Sequence, residues 1–356
     1  MEERELRRRR DGNQLPNFPS PEIYGAKGMP VWTVFVTGAT GYIGTALCRR
    51  FREEGHRVRA LVRPTSRVAE LLDLGVVTFS GDIGDRFSLR EPMSGVDWVV
   101  HAAAELDLGA PPDRMARSNV LGSDNVATLA NKLGVPRFLS VSSMARWGGS
   151  PGDGSLAVEE TPAQEPPTRY SATKRAGERA ILEQASRGLR VNTVYPTLVY
   201  GPPGKSRGAN RLLAALYRGQ FPFLLGGHRR SSWVFLDDVV DGILKVMRAG
   251  PAGRGYLLAG ETVTTRQLIE ELRALGGAPA PRFELPLTVA KGLFRCAELL
   301  SPLGLPGPPM PAEQVDSLAR HWAFDDRRAR EELGFAPRGL REGLSQTLPL
   351  LRAPGG

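Results

Sequence analysis

From residue 31 onward, short runs of apolar and β-branched residues alternate with longer stretches in which apolar positions recur at helical spacing. The runs typical of strands cover residues 31–37, 57–62, 76–80, 98–102, 137–142 and 190–195. The helical stretches between them cover residues 43–54, 67–74, 114–133 and 170–186, and several end at a glycine. This alternation predicts parallel strands joined by crossover helices, and the continuous apolar runs predict a sheet covered on both faces.

After about residue 196 the pattern changes to short elements interrupted by proline and glycine, and it ends in an amphipathic helix at 340–351. The sequence therefore predicts an α/β fold with two parts. The first is a doubly wound parallel sheet at 30–196. The second is a smaller α+β lobe at 197–356, mainly for binding substrate, from which some segments return to the first sheet.

A glycine-rich turn, TGATGYIG at 37–44, follows the first strand and opens the first helix. Its glycines are spaced three apart: Gly38 permits a tight turn, Gly41 leaves room for a pyrophosphate, and Gly44 lets the helix pack close to the sheet. The free N–H groups and the dipole of the helix then face the anion. The position between strand and helix predicts a Rossmann dinucleotide-binding domain in residues 30–196.

The end of the second strand indicates which dinucleotide is bound. An acidic residue there suits a free ribose 2′-hydroxyl, whereas a basic residue suits a 2′-phosphate. The sequence at this point is LVRPTSR, with Arg63 and no acid. Because the guanidinium is a planar fork suited to phosphate, we expect NADP(H) to be favoured over NAD(H).

A tyrosine and a lysine are spaced four residues apart in YSATK at 170–174. On a helix this spacing places the phenol of Tyr170 and the ammonium of Lys174 on one face, a single turn apart. An adjacent cation favours the phenolate, so we expect the pKa of Tyr170 to lie below the usual value of about 10. Such a phenol is suited to general acid–base catalysis.

Serine hydroxyls lie at the end of the fifth predicted strand, in SVSS at 140–143. Ligands of doubly wound sheets bind at this edge, so Ser143 can hydrogen-bond a substrate carbonyl or alkoxide. A serine hydrolase is disfavoured, because Ser143 lacks the Gly-x-Ser-x-Gly elbow of those enzymes.

Composition and charge add limits to this picture. The 356 residues are 41% hydrophobic and 24% charged, which is typical of a soluble globular protein. No apolar run approaches the ~18 residues needed to cross a bilayer, and the N-terminus lacks a secretory signal, so we expect a cytoplasmic protein without membrane insertion. Cys48 and Cys296 are too few for a disulfide scaffold, the four histidines lack metal-ligand spacing, and we expect both thiols in the core.

The formal net charge of +9 comes mostly from basic residues scattered among acids, which is typical of a solvated surface. One basic run, at 7–10, lies in a tail at 1–29 that we expect to be disordered. Met29 stands directly before the first strand, so a native start at that residue is a second hypothesis for the tail. Binding to nucleic acid is not expected.

The motifs together, TGATGYIG, GDI at 81–83, HAAA at 101–104, SVSS and YSATK, resemble the extended short-chain dehydrogenase/reductase superfamily, also called the NAD-dependent epimerase/dehydratase family. The resemblance implies that Tyr170 is the proton donor-acceptor, that Lys174 binds the nicotinamide ribose, and that Ser143 orients the reacting oxygen. It further implies contacts to the cofactor from Thr40, Tyr42, Ile43, Asp82, Ile83, Ala102, Ala103, Ala104, Pro196 and Val199. Asn119 and His101 are expected to be structural.

Within the family, VRALVRP and the apolar segment LPLTVAKGLFRCAELL are most similar to dihydroflavonol-4-reductase-like and 3β-hydroxysteroid dehydrogenase-like members. Nucleotide-sugar epimerases and dehydratases usually carry an arginine two residues before an aromatic residue of a later motif. Here Trp233 is preceded by Ser231 and Ser232, with Arg230 one place off. The apolar segment is interpreted as packing, or else as the wall of a pocket for a hydrophobic substrate.

The sequence therefore predicts an NADP(H)-dependent oxidoreductase that interconverts a carbonyl and an alcohol, with Tyr170 supplying or accepting the proton. The first alternative is a nucleotide-sugar epimerase or dehydratase. The second is a non-catalytic nucleotide-sensing or nucleic-acid-associated protein that uses the basic tail. Some members pair through helices corresponding to 114–133 and 170–186, so a homodimer is possible for this chain.

Overall fold

The computed structural model describes residues 31–202, 208–279, 281, 283–301 and 312–352. The predicted tail at 1–29, with its basic run and the alternative start at Met29, lies outside the described residues. Among the described helices, none has both the length and the apolar character required to cross a membrane.

The described strands are β1 (Thr33–Thr37), β2 (Arg57–Val62), β3 (Val77–Ser80), β4 (Trp98–His101), β5 (Arg137–Val141), β6 (Val191–Pro196), β7 (Leu198–Tyr200), β8 (Arg230–Phe235), β9 (Gly255–Leu258) and β10 (Glu261–Thr264). Seven of them form one sheet in the order β3-β2-β1-β4-β5-β6-β9, and every neighbouring pair in it is parallel. The doubly wound parallel sheet predicted from the alternating pattern is confirmed.

The described α-helices are α1 (Tyr42–Glu53), α2 (Ala69–Asp73), α3 (Arg86–Met93), α4 (Pro112–Ala116), α5 (Gly122–Lys132), α6 (Arg169–Ala185), α7 (Ala209–Tyr217), α8 (Leu236–Ala249), α9 (Thr265–Ala274), α10 (Leu287–Leu300), α11 (Ala312–Leu318), α12 (Arg327–Leu333) and α13 (Leu340–Arg352). A π-helical turn, Arg117–Leu121, separates α4 from α5, and a short 3-10 helix, Met144–Trp147, follows β5. The single helix expected at 114–133 is therefore interrupted, and the other predicted elements of the first part differ from the observed ones by a few residues at their ends.

Helices cover both faces of the large sheet, as the apolar strands predict. Successive residues of β1 point to opposite faces: Val34 packs in a cluster with residues of α1 and α8, such as Leu47 and Ile243. Phe35 packs on the other face, in a cluster that includes Val126 of α5 and residues of α3 and α6. This two-sided burial holds the strand ends in fixed positions, and the candidate site is built on those ends.

A smaller sheet has the order β10-β8-β7, with β8 parallel to β7 and antiparallel to β10. It packs with α7, α9 and α13 around a second core that includes Trp233 and Leu344. The intervening β9 pairs with β6 at the edge of the large sheet. The division of the chain at residue 196 stays a prediction.

The prediction that both cysteines lie in the core is confirmed for one and wrong for the other. Cys48 is buried in α1, as expected, but Cys296 is exposed on α10. The reason is that α10 buries only a narrow stripe, with Ala290 and Phe294 in a small cluster. The remaining surface of the helix is exposed, and even Leu293, which flanks the stripe, is 56% exposed.

Candidate active site

The residues predicted to bind the cofactor follow the carboxyl ends of neighbouring strands in the large sheet. Read across the sheet from β3 to β6, they are Asp82 and Ile83, then Arg63, then 38–44, then 102–104, then Ser143, and then Pro196, with Val199 following in β7. The order of strands reverses between β1 and β4, which is where doubly wound sheets bind their ligands. The fold therefore brings these segments to one edge.

The glycine turn packs so closely against the neighbouring strand end that side chains are excluded from it. A Cβ built on Gly38, whose φ is +71°, lies 2.6 Å from the backbone nitrogen of Ala103. A Cβ on Gly44 lies 2.1 Å from the carbonyl oxygen of Gly38. Contacts this short with backbone cannot be relieved by a rotamer change, so only glycine permits this cradle.

The first turn of α1 offers free N–H groups to an anion. Gly41 is the N-cap and makes no side-chain capping bond, and the first turn contains no acidic residue. Thr40 precedes the cap and is partly buried, and Ile43 packs against the core beneath the helix. An uncapped, acid-free helix N-terminus above a glycine cradle fits the pyrophosphate of a dinucleotide.

Tyr42 links the glycine turn to the second part of the chain. Its hydroxyl donates to the carbonyl oxygen of Gly201 and accepts a hydrogen bond from Asn210 Nδ2 at 3.1 Å. Asn210 also holds Gly201 through its amide oxygen and nitrogen, and burial raises the pKa of Tyr42. Asn210 was not predicted as a site residue, because it lies 168 positions from Tyr42 and no local motif marks it.

His101 is the last residue of β4, and both nitrogens of its ring are held by neighbouring hydroxyl groups. Its Nδ1 lies 2.8 Å from Thr37 Oγ1, and its Nε2 lies 3.0 Å from Ser123 Oγ. Burial, with a smaller contribution from Lys174, lowers the pKa of His101 to about 3, so the ring is neutral. His101 therefore has the contacts of a structural residue, and Ala102, Ala103 and Ala104 follow it at the edge facing the glycine turn.

The ends of β2 and β3 carry the residues expected near the adenosine. Arg63 directly follows β2 and is exposed, and no carboxylate among the described residues forms an ion pair with it. Asp82 accepts a hydrogen bond from the Gly84 amide at 2.7 Å. The side chain of Ile83 packs so closely on α5 that a Cβ on Gly122 would lie 2.5 Å from it.

The catalytic candidates meet where α6 crosses the end of β5. Thr168 caps α6, accepting from the Ser171 amide at 3.1 Å, so that Tyr170 lies in the first turn of the helix. The side chain of Ser143 acts on the Tyr170 hydroxyl and lowers its pKa, and the Lys174 ammonium donates to the Val141 carbonyl oxygen at 3.2 Å. The structure thus brings Ser143, Tyr170 and Lys174 together.

The predicted low pKa of the Tyr170 phenol is wrong for the described protein. Burial raises the pKa of Tyr170 to about 12, and the hydrogen bond from Ser143 opposes this only in part. Burial also lowers the pKa of Lys174 to about 8, against the effect of Glu178. The reason is that desolvation penalises the charged form of both groups, and burial is the largest cause of each shift.

Asn119, which we expected to be structural, makes contacts in this region that the sequence did not reveal. Asn119 lies in the π-helical turn, where its Nδ2 donates to the carbonyl oxygen of Glu105 and to Thr173 Oγ1, both at 3.0 Å. Its backbone carbonyl faces Gly177 of α6, where a Cβ would lie 2.0 Å from the oxygen. Gly177 therefore permits the close approach of α6 to the turn, and a lone helical glycine gave no signal of this.

The segment that distinguishes nucleotide-sugar enzymes is occupied by structural contacts. Ser231 Oγ accepts from the indole of Trp233 at 2.9 Å. Arg230 donates to the Gly154 carbonyl oxygen at 2.8 Å and its backbone amide donates to His321. Arg230 is therefore committed to holding two loops together.

A seven-stranded parallel sheet with flanking helices and a glycine turn at the point where its strand order reverses defines the class as Rossmann-like enzymes. The chain belongs to the NAD-dependent epimerase/dehydratase family, whose model matches residues 34–259. It is thereby an enzyme of a nicotinamide-dinucleotide-dependent family within the extended short-chain dehydrogenases/reductases.

Relatives match almost the whole chain. Sterol demethylase protein B of Methylococcus capsulatus is 30% identical over 91% of this chain and 99% of its own length. The 4-hydroxy-2-methyl-3-oxo-4-farnesyl-3,4-dihydroquinoline-1-oxide ketoreductase of Stigmatella aurantiaca is 30% identical over 90% of this chain and 96% of its own length. Among solved structures, gox2253 is 28% identical, with a TM-score of 0.77 over 90% of this chain and 98% of that one. These likenesses support an oxidoreductase.

Proposed function

We propose that the protein is an NADPH-dependent reductase that converts a ketone or aldehyde to an alcohol, with Tyr170 donating the proton to the carbonyl oxygen. The observation that carries the proposal is the meeting of Tyr170, Ser143 and Lys174 at the same sheet edge as the glycine turn. Proton donation by a positioned side chain contributes roughly 100- to 10,000-fold to a rate.

The protonation states of the site suit the direction of reduction. With its pKa raised to about 12, the Tyr170 phenol is protonated at neutral pH and can donate. Ser143 stabilises the negative charge that develops on the phenol oxygen of Tyr170 when the proton leaves, because its effect is to lower the pKa of Tyr170. Lys174, with a pKa of about 8, carries its charge at neutral pH. A cation one helical turn from the phenol would favour proton release from it.

A bound nicotinamide cofactor supplies the hydride. In this chain, the glycine cradle and the N-terminus of α1 would hold the pyrophosphate, and Asp82 and 102–104 would border the adenosine and the nicotinamide ribose. Arg63, exposed and directly after β2, would bind a 2′-phosphate, which supports NADP(H) over NAD(H). Pro196 and Val199 would lie against the nicotinamide.

Two observations favour a carbonyl substrate over a nucleotide sugar. The first is the commitment of Arg230 to Gly154 together with Ser231 to Trp233, so the arginine nearest to Trp233 in this segment is not free for a substrate diphosphate. The second is the name of a relative, a ketoreductase acting on a farnesyl quinoline oxide, that matches 96% of its length. A substrate with a large apolar part is consistent with both.

The test is a screen of the purified protein with NADPH against flavonoid, steroid and short-chain ketones, read as net loss of the 340 nm absorbance that marks reduced nicotinamide. The same protein is incubated with UDP-glucose and dTDP-glucose, and the sugars are analysed by chromatography. The proposal predicts net NADPH oxidation with at least one carbonyl and no change in the nucleotide sugars.

A nucleotide-sugar epimerase or dehydratase is the second candidate, because the matching family model is named for those activities. These reactions return the hydride to the sugar, so they consume no cofactor overall. Conversion of a nucleotide sugar without net NADPH oxidation would therefore replace the first proposal with this one.

A further inference from the structure

The end of β5 contacts successive turns of α6 through three consecutive residues. The three contacts are Val141 with Lys174, Ser142 with Glu178, and Ser143 with Tyr170. Two of them involve the proposed catalytic pair, and the third involves a residue without a role so far. Because all three lie between the same strand end and the same helix, the position of α6 that sets one of them sets the others.

Glu178 is a buried carboxylate, 5% exposed, with both of its oxygens occupied. Ser142 Oγ donates to Oε2 at 2.7 Å, and the Tyr195 hydroxyl donates to Oε1 at 3.1 Å. The Nε of Arg146 lies 2.9 Å from Oε1, and the Arg146 guanidinium lies over the ring of Trp147 at 4.5 Å. The carboxylate is thus held from β5, from β6 and from the 3-10 helix that follows β5.

Glu178 also lies one helical turn beyond Lys174 on the same face of α6. Burial lowers the pKa of Lys174, and Glu178 is the group that opposes this effect. The charged and titratable groups around these two side chains are Tyr170, Arg146, Arg175, Tyr195 and, from β4, the neutral His101. Burial raises the pKa of Glu178, and Arg146, Ser142, Tyr195 and Lys174 all oppose that rise. Glu178 is the one carboxylic acid among these groups.

We propose that Glu178 is a positioning residue, whose fixed carboxylate sets α6 against the end of β5 and holds Lys174 as a charged ammonium beside Tyr170. This inference rests on the proposed function for the role of the Tyr170–Lys174 pair. The quantity that it predicts, the pKa of Lys174, can be measured without a substrate. It does not require Glu178 to touch substrate or cofactor.

The test measures the titration of Lys174 by NMR in protein labelled with lysine carrying carbon-13 at Cε. The chain has six lysines, so the spectrum is simple, and Lys174→Arg assigns the signal. In Glu178→Gln the pKa of Lys174 should fall by about one pH unit or more, since an opposite charge at close range produces shifts of this size. Glu178→Asp, which keeps the charge, should retain most of the wild-type pKa.

Controls separate this effect from a loss of structure. Tyr195→Phe removes one hydrogen bond but leaves the carboxylate, so Lys174 should titrate close to the wild-type pH. Arg146→Met removes the cation that opposes the raised pKa of Glu178, so Glu178 should bind a proton more readily and the pKa of Lys174 should fall. This variant decides the matter if Glu178→Gln does not fold. With an active carbonyl substrate, the alkaline limb of the kcat profile should move to lower pH in Glu178→Gln.

An unchanged Lys174 pKa in folded Glu178→Gln, or in Arg146→Met where that variant decides, would overturn the inference. The titration is measured without cofactor or substrate, so it separates the two proposals. A protein that oxidises no NADPH but shows the shift loses its proposed function and keeps the role of Glu178. A reductase without the shift loses only the latter.

Discussion

Replacing Gly44 by alanine tests the glycine cradle, because the close packing should make destabilising a substitution that normally stabilises a helix. Gly44 is in the first turn of α1, and in a helix alanine is favoured over glycine by about 1 kcal/mol. The added Cβ, however, would lie 2.1 Å from the Gly38 carbonyl oxygen and 2.9 Å from the Ala39 Cα. Both are backbone atoms, so the turn itself must shift. Overpacking of this kind costs about 1–3 kcal/mol, and this contact lies at the upper end because no side chain can move away.

The net expectation for Gly44→Ala is a destabilisation of about 2 kcal/mol. For a chain of 356 residues this corresponds to a fall in Tm of roughly 2–3 °C. A shift of the turn also displaces the N–H groups that face the pyrophosphate, so NADPH affinity, measured by fluorescence titration, should fall by about tenfold or more.

Gly292→Ala is the matched control. Gly292 lies inside α10, and a Cβ built on it has no neighbouring atom within 4 Å. The same substitution should therefore raise Tm slightly and leave NADPH affinity unchanged. If Gly44→Ala were as stable as Gly292→Ala and bound NADPH like the wild type, the close packing of the turn would be refuted.

Two further substitutions test other parts of the structure. Arg63→Ala should raise the KM for NADPH about 10- to 100-fold and leave the KM for NADH unchanged, since one charge-assisted contact contributes about 1.5–3 kcal/mol. Arg57→Ala, at the other end of β2, should change neither KM. Equal effects of Arg63→Ala on both cofactors would exclude a contact with the 2′-phosphate. Asp238→Ala should destabilise the protein by about 3 kcal/mol in chemical denaturation, because Arg338, which donates to Asp238 at 2.9 Å, would lose its buried partner. Asp241→Ala, which removes an exposed pair with Lys245 on the same helix, should cost less than about 0.5 kcal/mol, and equal costs would contradict this assignment.

The parallel sheet and the place of the site could be predicted because both depend on local patterns. Apolar runs such as that of β1, and the glycine spacing after it, are encoded within a few residues. The topology then determines where the candidate site lies, since the carboxyl ends of parallel strands share one edge of the sheet. Ser143 could be assigned to that edge from its own motif, whereas Tyr170, 27 positions later, could be assigned to the candidate site only through the YSATK spacing and the family resemblance.

What could not be predicted depends on contacts distant in sequence. The interruption of the predicted helix at 114–133 coincides with the carbonyl of Asn119 facing Gly177, and the locking of Tyr42 depends on Asn210. Glu178 four residues after Lys174 resembles an exposed helical ion pair in sequence, whereas in the structure this face is turned inward.

The predicted low pKa of Tyr170 is wrong because it also depends on contacts distant in sequence. A phenol one turn from an ammonium suggests a lowered value, but the sequence gives no measure of the burial that raises it. Burial is a property of the whole fold, and it determined the sign of the shift.

The most direct test of the reductase proposal is the turnover of Tyr170→Phe beside its NADPH affinity. With a carbonyl substrate identified, kcat should fall roughly 100- to 10,000-fold, because the proton donor is removed, while the dissociation constant for NADPH stays within about threefold of the wild type. A Tyr170→Phe variant that reduces the carbonyl at the wild-type rate would contradict the assignment of Tyr170 as the proton donor.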